Sequence, residues 1–192
     1  MTHDASTAPV NGSTVLTIEL RLSRLQQLFN SFDPSPFHEK DLDWEAEEYI
    51  VGSANESPLP RPVRLIVHLP AEQLPRAETL GLEKAVQNYF AYRRTEARRR
   101  MRFQFREGRA ALAIGLAFLV ACMSIRQLTF LMPGDAVARV LQEGLLILGW
   151  VAMWRPLQIF LYDWWPIRHQ VRLHDKLARM PVEVRAADPR AT

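Results

Sequence analysis

The chain has a single cysteine, Cys122, among its 192 residues. One cysteine excludes an intrachain disulfide and any metal site built from several thiolates. The first dozen residues, MTHDASTAPVNG, lack the basic start and the apolar stretch of a cleavable signal peptide. We therefore expect the first apolar span to act as its own membrane-insertion signal.

The sequence also lacks the local motifs that common chemistry needs. It has no phosphate-binding glycine loop, no serine elbow and no recognisable pair of nucleophile and base. Alternating acidic residues around Asp41 resemble a calcium loop, but Trp44 stands where that loop requires glycine. Aromatic-plus-basic modules for nucleic acid are missing as well. We expect a non-enzymatic protein without catalytic residues, cofactor, metal or nucleic-acid partner.

Charge is divided unevenly along the chain. Residues 1–92 contain 13 acidic and 7 basic residues, whereas residues 93–192 contain 8 acidic and 17 basic residues. The basic residues flank apolar segments, which favours anionic lipid headgroups as their partners.

Two apolar segments predict a helical hairpin that crosses a membrane. Residues 110–125 contain no charged residue, and an extension to residue 132 gives a helix long enough for a bilayer core of about 30 Å. Pro133, Gly134 and Asp135 predict a turn over 133–136, and a second transmembrane helix over 137–157 follows. A buried core hairpin of a soluble protein is the alternative.

The basic residues also predict an orientation. Eight arginines between Arg93 and Arg109 precede the first span, and Arg155, Arg168 and further basic residues follow the second. The connecting turn has only Arg139 and at most Arg126. Positive charge marks the cytoplasmic side, so both termini are expected to be cytoplasmic, with an extracytoplasmic turn.

Residues 14–77 predict a small cytoplasmic α+β module with two strands. Thr14–Leu22 and Val63–Leu69 alternate apolar and polar side chains, and Asp41 or Asp43 is placed to cap a helix over 44–54. Two strands make a poor sheet. Either the chain contains a further strand that this pattern does not mark, or another copy of the chain completes the sheet.

The basic segments beside the two spans predict contacts with lipid headgroups. A long arginine-rich helix is expected over 78–109, with Gly108 as a candidate hinge, and an interfacial aromatic helix over 158–180, with straight continuation of the span as its alternative. Residues 1–13 and 181–192 are expected to be disordered. The headgroup contacts are assigned to Arg98, Arg99, Arg100, Arg102, Arg106, Arg109, Arg155, Trp164, Trp165 and Arg168.

Two further sets of charged residues are candidates for specific contacts. Arg126 and Glu143 are expected at nearly the same depth of the hairpin, where an intramembrane ion pair avoids an unpaired charge; ion or proton movement and a contact between subunits are the alternatives. The acidic residues Asp41, Asp43, Glu47 and Glu48 predict a solvated first helical turn. Their alternative role is a docking surface for an arginine-rich helix of the same or a neighbouring chain.

A resemblance rests on four segments: LFNSFDPSPFHEKDLDWEAEEYI, LIVHLP, NYFAYR and MWRPLQIFLYDWWPI. These segments, within residues 15–175, resemble an uncharacterised family of small bacterial two-span inner-membrane proteins. The resemblance implies a bacterial inner-membrane location and brings no activity or site residue with it.

Two functions remain from the sequence. The first is a scaffold or accessory subunit of a membrane complex, as a homo-oligomer or bound to a larger assembly. The second is a small homo-oligomeric channel or transport component that uses Arg126 and Glu143. Neither span has a polar stripe along its length, which favours the scaffold.

Overall fold

The computed structural model describes residues 9–10, 13–34, 36–37, 40–130 and 136–187. It is mostly helical and divides into two compact units. The first, here called the sheet unit, comprises Met1–Glu96 together with His169–Thr192. The second, here called the helical unit, comprises Ala97–Arg168.

A three-stranded, all-parallel sheet organises the sheet unit. Its strand order is β3 (Leu16–Arg21), β4 (Val63–Leu69), β5 (Val182–Ala186), with β4 in the centre. The two predicted strands are confirmed as β3 and β4. Their alternating apolar residues lie on the buried face of the sheet, and Ile66 of β4 is buried on the other face as well, at 3% exposure. The strands are β1 (Pro9–Val10), β2 (Ser13–Thr14), β3 (Leu16–Arg21), β4 (Val63–Leu69) and β5 (Val182–Ala186), with β1 and β2 forming a separate antiparallel pair.

Strand β5 corrects the prediction of a disordered segment over 181–192. Val182 and Val184 alternate with charged residues over only five positions, and their partner strand is far away in sequence, so no local signal marks them. The sheet reaches three strands within one chain, which resolves the alternatives in favour of a further strand. Residues 9–10 and 13–14 likewise form the short β1–β2 pair where disorder was predicted over 1–13.

The other regular elements of the described chain are helices. Asp43 caps α1 by accepting a hydrogen bond from the backbone nitrogen of Glu45, at 3.1 Å, which confirms one of the two predicted caps. The α-helices are α1 (Trp44–Asn55), α2 (Leu74–Thr79), α3 (Leu82–Phe130), α4 (Ala136–Ala152), α5 (Trp154–Gln158) and α6 (Trp164–Leu177). Short 3-10 helices cover Leu25–Leu28 and Ala71–Gln73, and a π-helical turn covers Ile159–Asp163.

Helix α3 joins two segments that the sequence predicted separately. The basic helix predicted over 78–109 and the apolar helix predicted over 110–132 form one continuous helix, which has no break at Gly108, the candidate hinge. The helix begins at Leu82, after Gly81 takes a backbone φ of +66° that favours glycine. The predicted turn residues Pro133, Gly134 and Asp135 lie outside the described residues.

The second apolar segment is also longer than predicted. Helix α4 ends at Ala152, and after a turn at Met153 the chain stays helical through α5, the π turn and α6 as far as Leu177. Residues 158–177 therefore continue the helix of the second apolar segment, through the turn at Met153 and the π turn, which favours the alternative of continuation over a separate helix. Two stretches, Leu82–Leu128 and Arg139–Leu177, are long and apolar enough to cross a membrane.

The core of the sheet unit lies on one face of the sheet. Val63, Leu65, Val67 and Leu69 of β4 are buried in it, together with apolar side chains of the helices such as Phe90. The opposite face carries charged side chains joined by ion pairs: Arg64 with Glu183 at 3.2 Å, and His68 with Glu19 at 3.3 Å. These side chains are half-buried to exposed, between 18% and 38% accessible.

The chain on both sides of the apolar segments contributes to this one core. Phe90 of α3 stacks on His174 of α6, with ring centroids 6.4 Å apart. Gln87 donates a hydrogen bond from Nε2 to the backbone oxygen of Met180 at 3.0 Å. The apolar segments are therefore an insertion between two parts of a single folded unit.

Candidate functional site

The helical unit has a close contact between α3 and the π turn. A Cβ atom on Gly108 would lie only 2.8 Å from Cγ2 of Ile159 and 3.2 Å from the ring of Phe160, so glycine allows the two backbones to approach. π turns are rare in proteins, and those that do occur are often at functional sites. The surroundings of Gly108 are therefore a candidate for such a site.

A polar network lies beside this contact. Arg155 donates a hydrogen bond from Nη2 to Oε1 of Glu107 at 3.1 Å, and its Nη1 lies 3.6 Å from Oδ2 of Asp163. Gln104 donates to the same Asp163 oxygen at 3.4 Å. Arg155, which the sequence assigned to lipid headgroups, thus has two carboxylate neighbours in its own chain.

Next to the network is an open cleft of about 480 Å³. It is lined by Arg102, Phe105, Arg106, Arg109 and Phe160. The four residues from α3 recur at helical spacings of three and four, which places them on one face of the helix. The two phenylalanine rings lie 6.3 Å apart between centroids and form the apolar part of the cleft.

The cleft combines an apolar floor with concentrated positive charge. Arg102, Arg106 and Arg109 are all exposed. Within the described ranges, no carboxylate is within ion-pairing distance of these three guanidinium groups. Glu107 and Asp163, the acidic residues nearby in the structure, instead face Arg155. Such a site suits an anion with an apolar portion, because a guanidinium group can bind two oxygens of a phosphate at once.

The other predicted headgroup residues are distributed around α3 and α6. Arg98, Arg99 and Arg100 lie on α3 before the cleft and do not line it. Trp164 donates its indole N–H to the backbone oxygen of Phe160 at 2.8 Å, and the guanidinium of Arg168 lies 5.4 Å from the centroid of its ring. Trp165 is 66% exposed. Trp164 and Arg168 thus contact their own chain, and the headgroup contacts remain a prediction.

The Arg126–Glu143 pair remains a prediction. Arg126 lies near the end of α3 and Glu143 in the first half of α4, and both side chains are exposed.

The acidic residues of the sheet unit form a different kind of cluster. Glu47 accepts hydrogen bonds from Tyr89 Oη and from Arg93 Nε, both at 2.7 Å, and Arg93 Nη1 donates to Glu96 at 3.1 Å. Burial tends to lower the pKa of Arg93, but Glu47 and the other neighbouring groups raise it overall. Glu47 therefore meets the first arginine of the basic run within its own chain.

The other acidic candidates make fewer contacts. Asp43 is the cap of α1, whereas Glu48 is exposed on the same helix. Burial, followed by repulsion from Asp33, raises the pKa of the Asp41 carboxyl. His38 and Glu39, which belong to the same acidic stretch, lie outside the described residues.

Small residues along α3 are the site feature that the sequence reasoning missed. Gly108, Gly115 and Cys122 recur every seven residues, and all three are buried. A Cβ atom on Gly115 would lie 3.0 Å from the backbone oxygen of Ala152, and one on Gly149 would lie 2.7 Å from Leu119. The seven-residue spacing is a readable signal for a helix-packing face. The expectation that Cys122 is a small packing residue is confirmed, since it is 4% exposed.

Comparisons of this chain with protein-family models, with curated proteins and with solved structures find no match. In the part of the chain that the structure describes, no group of three or more His, Cys, Asp or Glu side chains is arranged to hold a metal ion. The residues themselves are therefore the basis for the function proposed below.

Proposed function

We propose that this protein is an integral membrane protein that crosses a bacterial inner membrane twice and holds its sheet unit at the cytoplasmic surface. In this role it is a non-enzymatic scaffold or accessory subunit of a membrane complex, as a homo-oligomer or with other chains. The two long apolar helices, the sheet unit that joins their ends, and the surface of that unit support the proposal.

The exposed apolar surface of the helical unit supports insertion into a membrane. Only 17% of the most apolar window of each long helix is buried. Ile114, Ile147 and Trp150 are 71%, 62% and 69% exposed, respectively. Soluble proteins rarely expose contiguous apolar patches of this kind, whereas a lipid bilayer solvates them. The alternative of a core hairpin covered by its own chain is hard to reconcile with this exposure.

One observation carries the topology. Residues before Ala97 and residues after Arg168 belong to the same folded unit, and β5 pairs with β4 in a single sheet. A folded sheet lies on one side of a membrane, so the chain between its two parts must cross an even number of times. Two long apolar helices give two crossings. The arginines before the first span and after the second then favour the cytoplasmic side for the sheet unit.

The surface of the sheet unit supports a binding role. All-parallel sheets usually have both faces covered, yet one face here carries partly exposed charged pairs such as Arg64–Glu183. The unit also exposes Phe32 and Trp44, at 92% and 70%. Exposed aromatic side chains are enriched at protein interfaces. We assign the partner contact to these two exposed side chains.

Mass measurement of the intact protein tests the proposal. The full chain, purified in mild detergent and in nanodiscs, is expected in particles that contain more than one 22.1 kDa chain. Replacing Phe32 and Trp44 with Ser should reduce the particle to one chain. The control Tyr92→Ser removes a side chain that is also exposed, at 59%, and should leave the particle intact. A strict monomer in both environments would contradict the homo-oligomer and leave only a scaffold that assembles with other chains.

The channel alternative has less support. Close packing at Gly115 and Gly149 leaves little room between the helices of one hairpin, so a pore would need several copies. Liposome flux measured with Arg126→Ala and Glu143→Ala separates the two functions. Flux that either substitution abolishes would favour the channel, and unchanged flux would leave the two charges as a structural feature.

A further inference from the structure

We propose that the cleft formed by Arg102, Phe105, Arg106, Arg109 and Phe160 is a specific binding site for one anionic phospholipid. Its phosphate would lie among the three guanidinium groups, and the first part of an acyl chain would lie along the two phenylalanine rings. The inference deepens the proposed function and rests on it, because it requires that the helical unit be in a membrane.

The composition of the cleft carries the charge argument. Arg93 and Arg94, earlier on the same helix, have carboxylate partners at 2.7 Å. Arg102, Arg106 and Arg109 have no such partner in the described part of the chain. Three guanidinium groups on one helical face, beside a cavity, repel each other unless an anion lies between them. An anionic headgroup supplies that charge.

The position of the cleft argues for a lipid rather than a soluble anion. Arg109 is the last charged residue before the uninterrupted apolar stretch that begins at Ala110. Leu112 and Leu116 follow Arg109 on the same face of α3, three and seven residues later, and their side chains are 37% and 51% exposed. A molecule whose phosphate is held at the arginines therefore has a continuous apolar surface for its acyl chains.

The size and shape of the cleft fit part of a lipid. Its volume of about 480 Å³ is typical of small-molecule sites, which range from about 300 to 1,000 Å³. Phe105 and Phe160, whose ring centroids are 6.3 Å apart, would supply the apolar contact for the first part of an acyl chain. The contact at Gly108 fixes the π turn, and with it Phe160, against α3. The site therefore depends on residues that are far apart in the chain and is not a feature of the arginine run alone.

A matched pair of triple variants tests the proposal. Arg102, Arg106 and Arg109 are replaced with Gln in one variant, and Arg98, Arg99 and Arg100 in the other, so both lose the same charge from the same helix. Full-length proteins in a neutral detergent are titrated with phosphatidylglycerol or phosphatidylcholine, with bound lipid counted by native mass spectrometry. We expect about 100-fold weaker phosphatidylglycerol binding in the cleft variant, from about 1 kcal/mol per arginine, and less than about threefold in the other. Phosphatidylcholine should bind weakly to all three proteins.

A second pair of variants tests the apolar part. Phe105→Ala should weaken phosphatidylglycerol binding about tenfold, whereas Phe103→Ala, which removes a ring that is 67% exposed on the same helix, should not. Melting temperatures without lipid identify any variant that has lost its fold. Inorganic phosphate is titrated in parallel and should displace the lipid only at far higher concentration.

Three results would overturn the proposal. Equal losses in the two triple variants would indicate diffuse attraction to anionic surfaces. Wild-type binding by Phe105→Ala would place the lipid elsewhere, and tight binding of inorganic phosphate would indicate a soluble anion. Carbonate extraction of membranes tests the proposed function separately. Release of the wild-type chain by carbonate would contradict membrane insertion, whatever the lipid titrations in detergent give.

Discussion

Arg94 donates a hydrogen bond from Nη1 to Oδ1 of Asp175 at 2.7 Å. The pair joins the part of α3 that precedes the apolar stretch to the part of α6 that follows the second one. Both residues belong to the sheet unit, so the contact closes that unit across the inserted segment Ala97–Arg168. The two ends of the inserted segment are thereby held in one folded body.

Loss of this ion pair should destabilise the sheet unit. Asp175→Asn leaves Arg94, which is 26% exposed, without its carboxylate, and we expect a loss of about 1–2 kcal/mol in the free energy of unfolding. Arg179, which also contacts Asp175 but is 74% exposed, is the control. Arg179→Gln should cost less than about 0.5 kcal/mol. Equal losses of stability in Asp175→Asn and Arg179→Gln, measured by thermal or denaturant unfolding, would show that the Arg94–Asp175 pair does not stabilise the unit more than the exposed pair does.

Strand β5 should be necessary for the fold of the sheet unit. Val182 is 8% exposed in the apolar core, so Val182→Asp buries a charge and is expected to cost about 3 kcal/mol or more. A chain ended at Pro181 should behave similarly, because β4 loses the partner on one side. A chain ended at Ala187 keeps the whole strand and serves as control. Native-like melting of the Pro181 truncation would contradict the three-stranded sheet.

The Tyr89–Glu47 hydrogen bond predicts a change of stability with pH. Burial raises the pKa of the Tyr89 phenol above the ordinary value of 10.0, and the hydrogen bond to Glu47 raises it further. The Tyr89 phenol therefore ionises at a lower pH in the unfolded chain than in the folded one. Its contribution to the free energy of unfolding is fully present below pH 10 and is lost as the pH rises above 10. Tyr89→Phe should lower stability by about 1–2 kcal/mol at pH 8 and flatten the alkaline decline.

The control for this experiment is Tyr92→Phe, because Tyr92 is 59% exposed. It should change neither the stability at pH 8 nor its decline above pH 10. Stability is measured by denaturant unfolding at a series of pH values from 7 to 11, a range that brackets the ordinary tyrosine value of 10.0. An alkaline decline that is the same in Tyr89→Phe as in the wild type would rule out Tyr89 as its source.

Close packing of α3 and α4 predicts different tolerance at two glycines. Leucine at position 115 would press on the backbone of Ala152, which cannot move aside as a flexible side chain can. At Gly144, an added Cβ would meet no atom within 4 Å. Gly115→Leu should therefore reduce the free energy of unfolding by about 1–3 kcal/mol, which is seen as a lower melting temperature of the detergent-purified protein. Gly144→Leu should leave the melting temperature unchanged. Equal tolerance would argue against the packed helix pair.

Much of the secondary structure could be predicted because its signals are local. The strict alternation of Val63–Leu69 marked β4, and Asp43 followed by an amphipathic segment marked the start of α1. The continuous apolar runs marked the two long helices. Each of these patterns has a period that a short window of sequence contains.

The features that were not predicted depend on distant parts of the chain. Strand β5 forms by pairing with β4, which is remote in sequence, and its own five residues are too few to give a clear strand pattern. The cleft depends on which face of α3 meets Phe160, and the partners of Arg155 on where α5 lies beside Glu107. An arginine run predicts attraction to anions. Which arginines are paired internally and which remain available is decided by tertiary contacts.

Cysteine accessibility in intact cells tests the two-crossing topology most directly. In a Cys122→Ser background, a single cysteine is introduced either at Asp135, in the predicted extracytoplasmic turn, or at Arg179, which is 74% exposed in the sheet unit. A membrane-impermeant maleimide should label the Asp135→Cys protein in intact spheroplasts and the Arg179→Cys protein only after permeabilisation. Labelling of Arg179→Cys from outside, or protection of Asp135→Cys until the cells are opened, would contradict a hairpin with both ends in the cytoplasm.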